Sequence, residues 1–255
     1  VYIINGRTGG TLSDLTMTKN EARSGGGLSV HNSGTVTLRG SDLSMNMASS
    51  QGGAINVQHS ALDIKNSEVA NNSGNIHGGA MTAEGSQVDI INGLFYGNSA
   101  ASGKASILAM SDTEVYVVNS TLAQNQPQGQ QAIFRWGSSG IVLLKNSIMW
   151  NNSRTYQSDP PCPSCFIADW SDVQGYSGGT HNIDKDPLFR SPSGGNFQLQ
   201  KASPCIDAGT VSGGFVAPKY DIDGNPRDAK PDMGAYEYKA ADYKFRVYLP
   251  VIMRK

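Results

Sequence analysis

The sequence predicts an all-β chain: a right-handed parallel β-helix of about six coils, with an irregular C-terminal cap and a strand-like tail. Three recurring features predict it. Small-residue corners lead into apolar strand starts at Gly25-Gly26-Gly27-Leu28, Gly52-Gly53-Ala54-Ile55 and Gly78-Gly79-Ala80-Met81, then more loosely at Ser106-Ile107 and Ala132-Ile133. A second short run follows in phase at Val36/Leu38, Leu62/Ile64, Val88/Ile90, Val115/Val117 and Val142/Leu144. An apolar residue with Asn three positions on closes each unit: Met17/Asn20, Leu43/Asn46, Val69/Asn72, Phe95/Asn98, Leu122/Asn125 and Met149/Asn152. The asparagines are spaced 26, 26, 26, 27 and 27 residues apart, and a second series runs Asn66, Asn92, Asn119, Asn146.

A fixed period of this size is the mark of a stacked repeat. Each unit holds three short β-prone runs separated by Gly, Asn and Ser, none long enough for a helix. One unit cannot bury its own apolar face, but stacked units pair their strands in parallel at about 4.8 Å per coil. Identical residues then lie above one another. An asparagine column suits such a corner, because each amide can donate to one coil and accept from another. The small residues before each strand permit a corner that a bulky side chain would block.

Composition narrows the classes of function. The chain has 255 residues, a net charge of −1 and only 16% charged residues, so nothing in it calls for nucleic acid or an anionic membrane. It has no apolar run long enough for a membrane span. It opens directly in strand, Tyr2/Ile4 falling 26 residues before Leu28/Val30. That start reads either as a processed terminus or as a cut from something longer.

Taken in order, residues 1–153 form the solenoid. Leu28, Val30, Ile55, Val57, Ile64, Ile90, Val117 and Leu122 point inward, and Thr35, Thr37, Asp63, Lys65 and Asp89 point outward. Arg154 to Cys165 breaks the period with Asp159-Pro160-Pro161 and reads as a loop leaving the solenoid. Residues 154–238 form a wrapping or capping region, since a solenoid end exposes core and strand edges. Residues 239–255 form a tail in which Tyr243, Phe245, Val247 and Leu249 alternate with polar neighbours before Pro250. An open first coil and this tail suggest self-association, by head-to-tail stacking or by donation of strand 243–249 to a neighbour, which would build a filament.

Three cysteines allow a short list of roles. Cys162-Pro163-Ser164-Cys165 has redox or zinc spacing, but zinc needs further ligands and the redox motif a βαβ context. A structural disulfide is expected, joining Cys162 to Cys165 or one of them to Cys205, which fits an oxidising extracellular site.

The Gly52-Gly53-Ala54-Ile55 and Phe95-Tyr96-Gly97-Asn98 motifs resemble the GGA(I/L/V) and FxxN repeats of polymorphic outer-membrane proteins, β-helix adhesins of bacterial surfaces. Further on come Ser171-Asp172-Val173-Gln174-Gly175, Asn182 to Phe189, Ser203-Pro204-Cys205-Ile206-Asp207-Ala208-Gly209, Asp221 to Arg227 and Asp232 to Glu237. Their order resembles the C-terminal region of secreted bacterial β-helix proteins of the "choice-of-anchor" type, which extend a pectate-lyase-like solenoid. The resemblance implies the fold and a secreted or cell-surface location. It implies no particular activity.

Enzymes of the pectate-lyase-like class carry carboxylates, often with Ca²⁺, on one outer face. Asp63 and Asp89 are the weak catalytic candidates here, being in register; a solvated outward pair is the plainer reading. No catalytic triad or phosphate loop can be argued from spacing, and His31, His59, His77 and His181 share no register. Tyr96, Tyr116, Trp136 and Trp150 fall in successive coils, where they could stack on a glycan or pack under the cap. Asp221, Asp223, Asn225 and Asp232 sit at positions 1, 3, 5 and 12 of a loop resembling a structural Ca²⁺ site, with Gly224 at position 4 rather than 6 and no closing Glu. An Asx-turn network with Arg227 paired to a carboxylate accounts for the same residues. The function expected is a structural or adhesive surface scaffold, with a polysaccharide lyase or hydrolase and a carbohydrate-binding module as alternatives.

Overall fold

The computed structural model describes residues 1–6, 9–100, 105–125, 131–152, 154–212 and 217–239. They form a nearly all-β solenoid of about six coils. The first sheet stacks Tyr2–Ile4, Leu28–His31, Ile55–Gln58, Met81–Glu84, Ala105–Ser111, Gln131–Trp136 and Tyr156–Asp159, all in parallel. The second stacks Gly10–Ser13, Thr35–Arg39, Ala61–Lys65, Gln87–Ile91, Glu114–Val118, Ile141–Lys145 and Phe166–Asp169. The third stacks Thr16–Thr18, Asp42–Ser44, Glu68–Ala70, Leu94–Tyr96, Thr121–Ala123, Ile148–Trp150 and Asp172–Val173. A short fourth sheet joins Glu21–Ser24, Met47–Gln51, Ser73–Gly74 and Ser99–Ala100.

Two local differences from the sequence reading have plain causes. The stretch after Arg154 does not leave the solenoid at once: Tyr156–Asp159 pairs with Gln131–Trp136, and Phe166–Asp169 and Asp172–Val173 complete a closing rung. Pro160 and Pro161 stop the run only after its four residues have paired. In the fifth coil Leu108, not Ile107, stands in the column of Ile55 and Met81, because an irregularity between Ala105 and Leu108 shifts the register.

The eight residues read as inward are buried, Leu28, Val30, Ile55, Val57 and Ile64 completely. Each such side chain contributes about 1.5–3 kcal/mol by leaving water. The corners need glycine for a steric reason. Gly52 and Gly78 have φ of +61°, and a Cβ on either would fall 2.0 and 1.9 Å from the carbonyl oxygens of Ile55 and Met81.

Hydrogen bonds between coils fix the register. The asparagine column Asn20, Asn46, Asn72, Asn98, Asn125, Asn152 is continuous. Each Oδ1 accepts the main-chain N–H and the Nδ2 of the asparagine one coil earlier, as at Asn72 with Asn98 (3.0 Å for both). From Asn46 onward each Nδ2 also donates back to a carbonyl, Asn98 to Val69 at 2.8 Å and Asn152 to Leu122 at 2.8 Å. The second series occupies a left-handed corner, with φ of 48°, 51°, 43° and 51° at Asn66, Asn92, Asn119 and Asn146. Serine columns do the same work at other corners: Ser41 donates to Ser67 Oγ, Ser120 to Ser147 Oγ and Ser147 to Ser171 Oγ.

The described residues among 188–212 and 217–238 pack on the outer face of the third sheet rather than across its open end. A hairpin of Phe189–Ser191 and Asn196–Leu199, together with Cys205 and Met233, covers the outward residues Leu94, Ala123 and Ile148 and builds a second apolar cluster. This explains why the third sheet turns apolar on its outside in coils four to six. The tail read over 239–255 lies, from residue 240 on, outside the described residues.

Candidate functional site

On the second sheet Asp63 and Asp89 pair in adjacent strands, between Thr37 on one side and Tyr116 on the other. The two acids differ. Lys65 Nζ reaches Asp63 Oδ2 at 2.6 Å and neutralises it from two residues away on the same strand. Burial, with the Asp63 charge behind it, raises the pKa of Asp89, whose Oδ1 accepts a bond from Gln87 Nε2. The face thus offers one ion-paired carboxylate and one carboxyl whose pKa is raised by burial.

A second acidic group was not read from the sequence. Asp42 and Glu68 stand in register on the third sheet, beside the edge of the cap. Tyr96 donates its hydroxyl to Glu68 Oε1 at 2.7 Å, and burial together with Asp42 raises the pKa of Glu68. Tyr96 itself packs on Phe197 at 5.0 Å between ring centres. The signal was available as a 26-residue step from Asp42 to Glu68, but Leu94 ends it after two coils.

The loop Asp221, Asp223, Asn225, Asp232 is wired into the protein. Asp221 Oδ1 accepts Asn225 N–H at 2.7 Å, and its Oδ2 accepts Asn225 Nδ2 and Glu237 N–H at 3.0 and 2.9 Å. Asp232 accepts the N–H groups of Asp207 and Tyr238 on its two oxygens. Asp223 accepts Gln198 Nε2 at 2.9 Å. Arg227 crosses the loop, donating to Glu237, to Gly234 and Asp232 carbonyls, and to Asn92 Oδ1 of the solenoid. Oxygen atoms that a cation would need are therefore engaged by N–H donors. Among the described residues no group of three or more His, Cys, Asp or Glu side chains is placed to hold a metal ion. Burial lifts Asp232 to about 7 against those two N–H groups, with Glu237 and Asp207 adding to the rise.

The cysteines divide. Cys162 and Cys165 form the disulfide, within the excursion over residues 160–165. Cys205, also placed among the disulfide residues by the sequence reading, is instead a free, fully buried thiol. Its Sγ donates to Asp172 Oδ2 at 3.2 Å, and its position in the cap cluster keeps it away from the other two. Burial raises both groups, Asp172 to about 6.

The aromatic residues do not make one platform. Tyr96 and Trp150 pack against the cap cluster, Tyr116 lies outward on the second sheet with its hydroxyl on Glu114, and Trp136, last in its strand of the first sheet, stacks on His77. A cleft of about 990 Å³ lies elsewhere, at the closing rung, and Tyr156, Phe166 and Tyr176 are among its lining residues. Tyr156 stacks on Phe166 at 5.3 Å, and Tyr176 meets Phe166 edge-on at 5.1 Å. One further residue escaped the sequence reading: Arg135 occupies an inward position below Met110 and is 2% exposed. Comparisons of the chain with protein-family models, with curated proteins and with solved structures found no match.

Proposed function

We propose that the protein is a non-catalytic surface scaffold, a stiff β-solenoid of a secreted or cell-surface bacterial protein that associates with copies of itself. The observation that carries this reading is the unbroken asparagine column from Asn20 to Asn152, which links successive coils by side-chain bonds and favours a rigid body over a moving site. The resemblance of residues 171–238 to the choice-of-anchor region supports the location. The Lys65 partner on Asp63 weighs against a lyase, for which that carboxylate would have to be free to meet a cation or a sugar. The test is a panel of neutral and uronate-rich polysaccharides incubated with the protein, with and without Ca²⁺, and analysed for shortened or unsaturated products. The scaffold reading expects none. A product that disappears in Asp89→Asn would replace it with the enzymatic reading.

A further inference from the structure

The cleft at the closing rung lies along a strand edge that no described strand covers. The first sheet ends at Tyr156–Asp159, which pairs with Gln131–Trp136 on one side. Ile133 donates its N–H to Thr155 O at 3.1 Å. By the alternation of a parallel ladder, the main-chain groups of Tyr156 and Ser158 then face away from the sixth coil, toward the cleft. Arg154, Tyr156, Ser158, Pro161, Phe166 and Tyr176 are among its lining residues. Unpaired N–H and C=O groups above an aromatic floor are the conditions for strand addition.

We propose that this edge receives the segment Tyr243–Leu249 of a second copy as an eighth strand. The segment alternates apolar Tyr243, Phe245, Val247 and Leu249 with Lys244, Arg246 and Tyr248, which is the period of a strand with one buried face. In the parallel register that sets Tyr243 beside Tyr156, Phe245 falls on Ser158 and Arg246 on Asp159. Tyr243 then extends the inward column of Leu108, Ile133 and Tyr156, and Phe245 that of Met110, Arg135 and Ser158. Arg246 meets an opposite charge across the pair.

Reach selects a second copy over the chain's own tail. Tyr238 is bonded to Asp232, whose carbonyl accepts Asn119 Nδ2 of the fifth coil. An eighth strand lies three coils on, about 14 Å along the axis. The five residues from Lys239 to Tyr243 extend at most about 18 Å. Most of that length is spent on the axial rise, and too little is left for the path around the body to the first sheet. Reciprocal exchange closes a dimer, and relay from copy to copy builds a longer chain; both sediment above the monomer.

The inference rests on the self-association part of the proposed function. Sedimentation of the full chain at micromolar concentration is expected to give species heavier than the monomer. Tyr243→Asp with Phe245→Asp should weaken association at least about tenfold, with no change in melting temperature, while Lys244→Ser leaves association intact. Arg246→Glu should weaken it, and Asp159→Arg added to Arg246→Glu should restore it. A synthetic peptide of residues 240–250 should dissociate the full chain. A monomeric full chain overturns this proposal together with the self-association part of the scaffold reading; association indifferent to Tyr243→Asp/Phe245→Asp overturns this proposal alone; a glycan product would overturn the non-catalytic reading and leave the association result untouched.

Discussion

Arg227 Nη1 lies 3.0 Å from Glu237 Oε2, and both side chains are almost wholly buried, at 2% and 7% exposure. The pair ties the end of the cap to its middle, and through Asn92 it ties the cap to the fourth coil. Breaking such a pair leaves the remaining charge buried and unpaired. Glu237→Ala should therefore destabilise the cap by about 3–5 kcal/mol. Replacing both residues by Met should recover most of that loss. Urea unfolding followed through Trp150, which packs on the cap cluster, reads both variants; equal loss in the single and double variants would show that the charge pair is not the cause.

The same network sets an expectation for calcium. Both oxygens of Asp221 and of Asp232 accept N–H bonds, so a cation would have to displace them. The melting temperature should be unchanged in millimolar Ca²⁺, and Asp223→Ala should behave alike with and without it. A calcium-dependent rise lost in Asp223→Ala would assign the loop as a structural cation site.

Stability should increase on mild acidification. Asp172, fully buried beside Cys205, Asp184 and Asp186, titrates at about 6 in the folded chain and near 3.8 when unfolded. Asp232, facing Asp207 and Glu237, titrates at about 7. Between the unfolded and folded values the folded chain holds the extra proton, so its stability falls as pH rises through that window. For Asp172 the loss is on the order of 3 kcal/mol. The melting temperature should therefore be higher at pH 5 than at pH 8, and Asp172→Asn should reduce the difference. A melting temperature that climbs from pH 5 to 8 would contradict it.

The asparagine column should be graded along its length. Asn98 is buried and makes bonds to Asn72, Asn125 and Val69, all lost in Asn98→Ala. Leaving buried amide and carbonyl groups unsatisfied costs about 1–3 kcal/mol each, so a loss of about 3 kcal/mol is expected. Asn20 is exposed and lies at the start of the column, donating only to Asn46. Asn20→Ala should cost less than about 1 kcal/mol. Urea midpoints compare the two; equal shifts would deny the column its stabilising role.

The repeat made the solenoid legible because every inward column is set by stacking, and stacking repeats in sequence. Ile64 and Ile90 could be read as core from their step alone. A serine column recurs too, at Ser41, Ser67, Ser120 and Ser147 with Gly93 in the place between, yet serine is common enough in loops to pass as turn filler. Contacts that join distant segments left no such trace. Cys205 meets Asp172 across 33 residues and Arg227 meets Asn92 across 135, and neither spacing recurs. Phe189 and Phe197 lie outside the repeat, and only the fold shows that they cover Leu94 and Ile148 on the outer face of the third sheet.

Arg135 is the exception inside the repeat, and its cause is local. It follows Val57, Ala83 and Met110 in an inward column, where an aliphatic residue would fill the space. Its guanidinium instead donates to Gly137 O at 3.0 Å, Ser139 O at 3.1 Å and Pro160 O at 3.3 Å. The sixth coil is where the corner at 137–140 and the Pro160 excursion converge, and Arg135 reaches the carbonyls of both; Ser139 O also accepts the Asp112 N–H at 3.2 Å. Nε stays buried without a partner, which offsets part of the gain. Arg135→Met would suit the column by volume and still take this donor from the Gly137, Ser139 and Pro160 carbonyls, of which Ser139 O keeps the Asp112 N–H. It should cost about 2–4 kcal/mol and should open the 137–140 and 160–165 segments to limited proteolysis before the rest of the solenoid. Arg135→Lys should fail in the same way, because a single ammonium on a flexible stem cannot reproduce the planar fork. If Arg135→Met resists protease as the parent does, the column needs only volume at this position, and the corner is held by Ser139 on Asp112 alone.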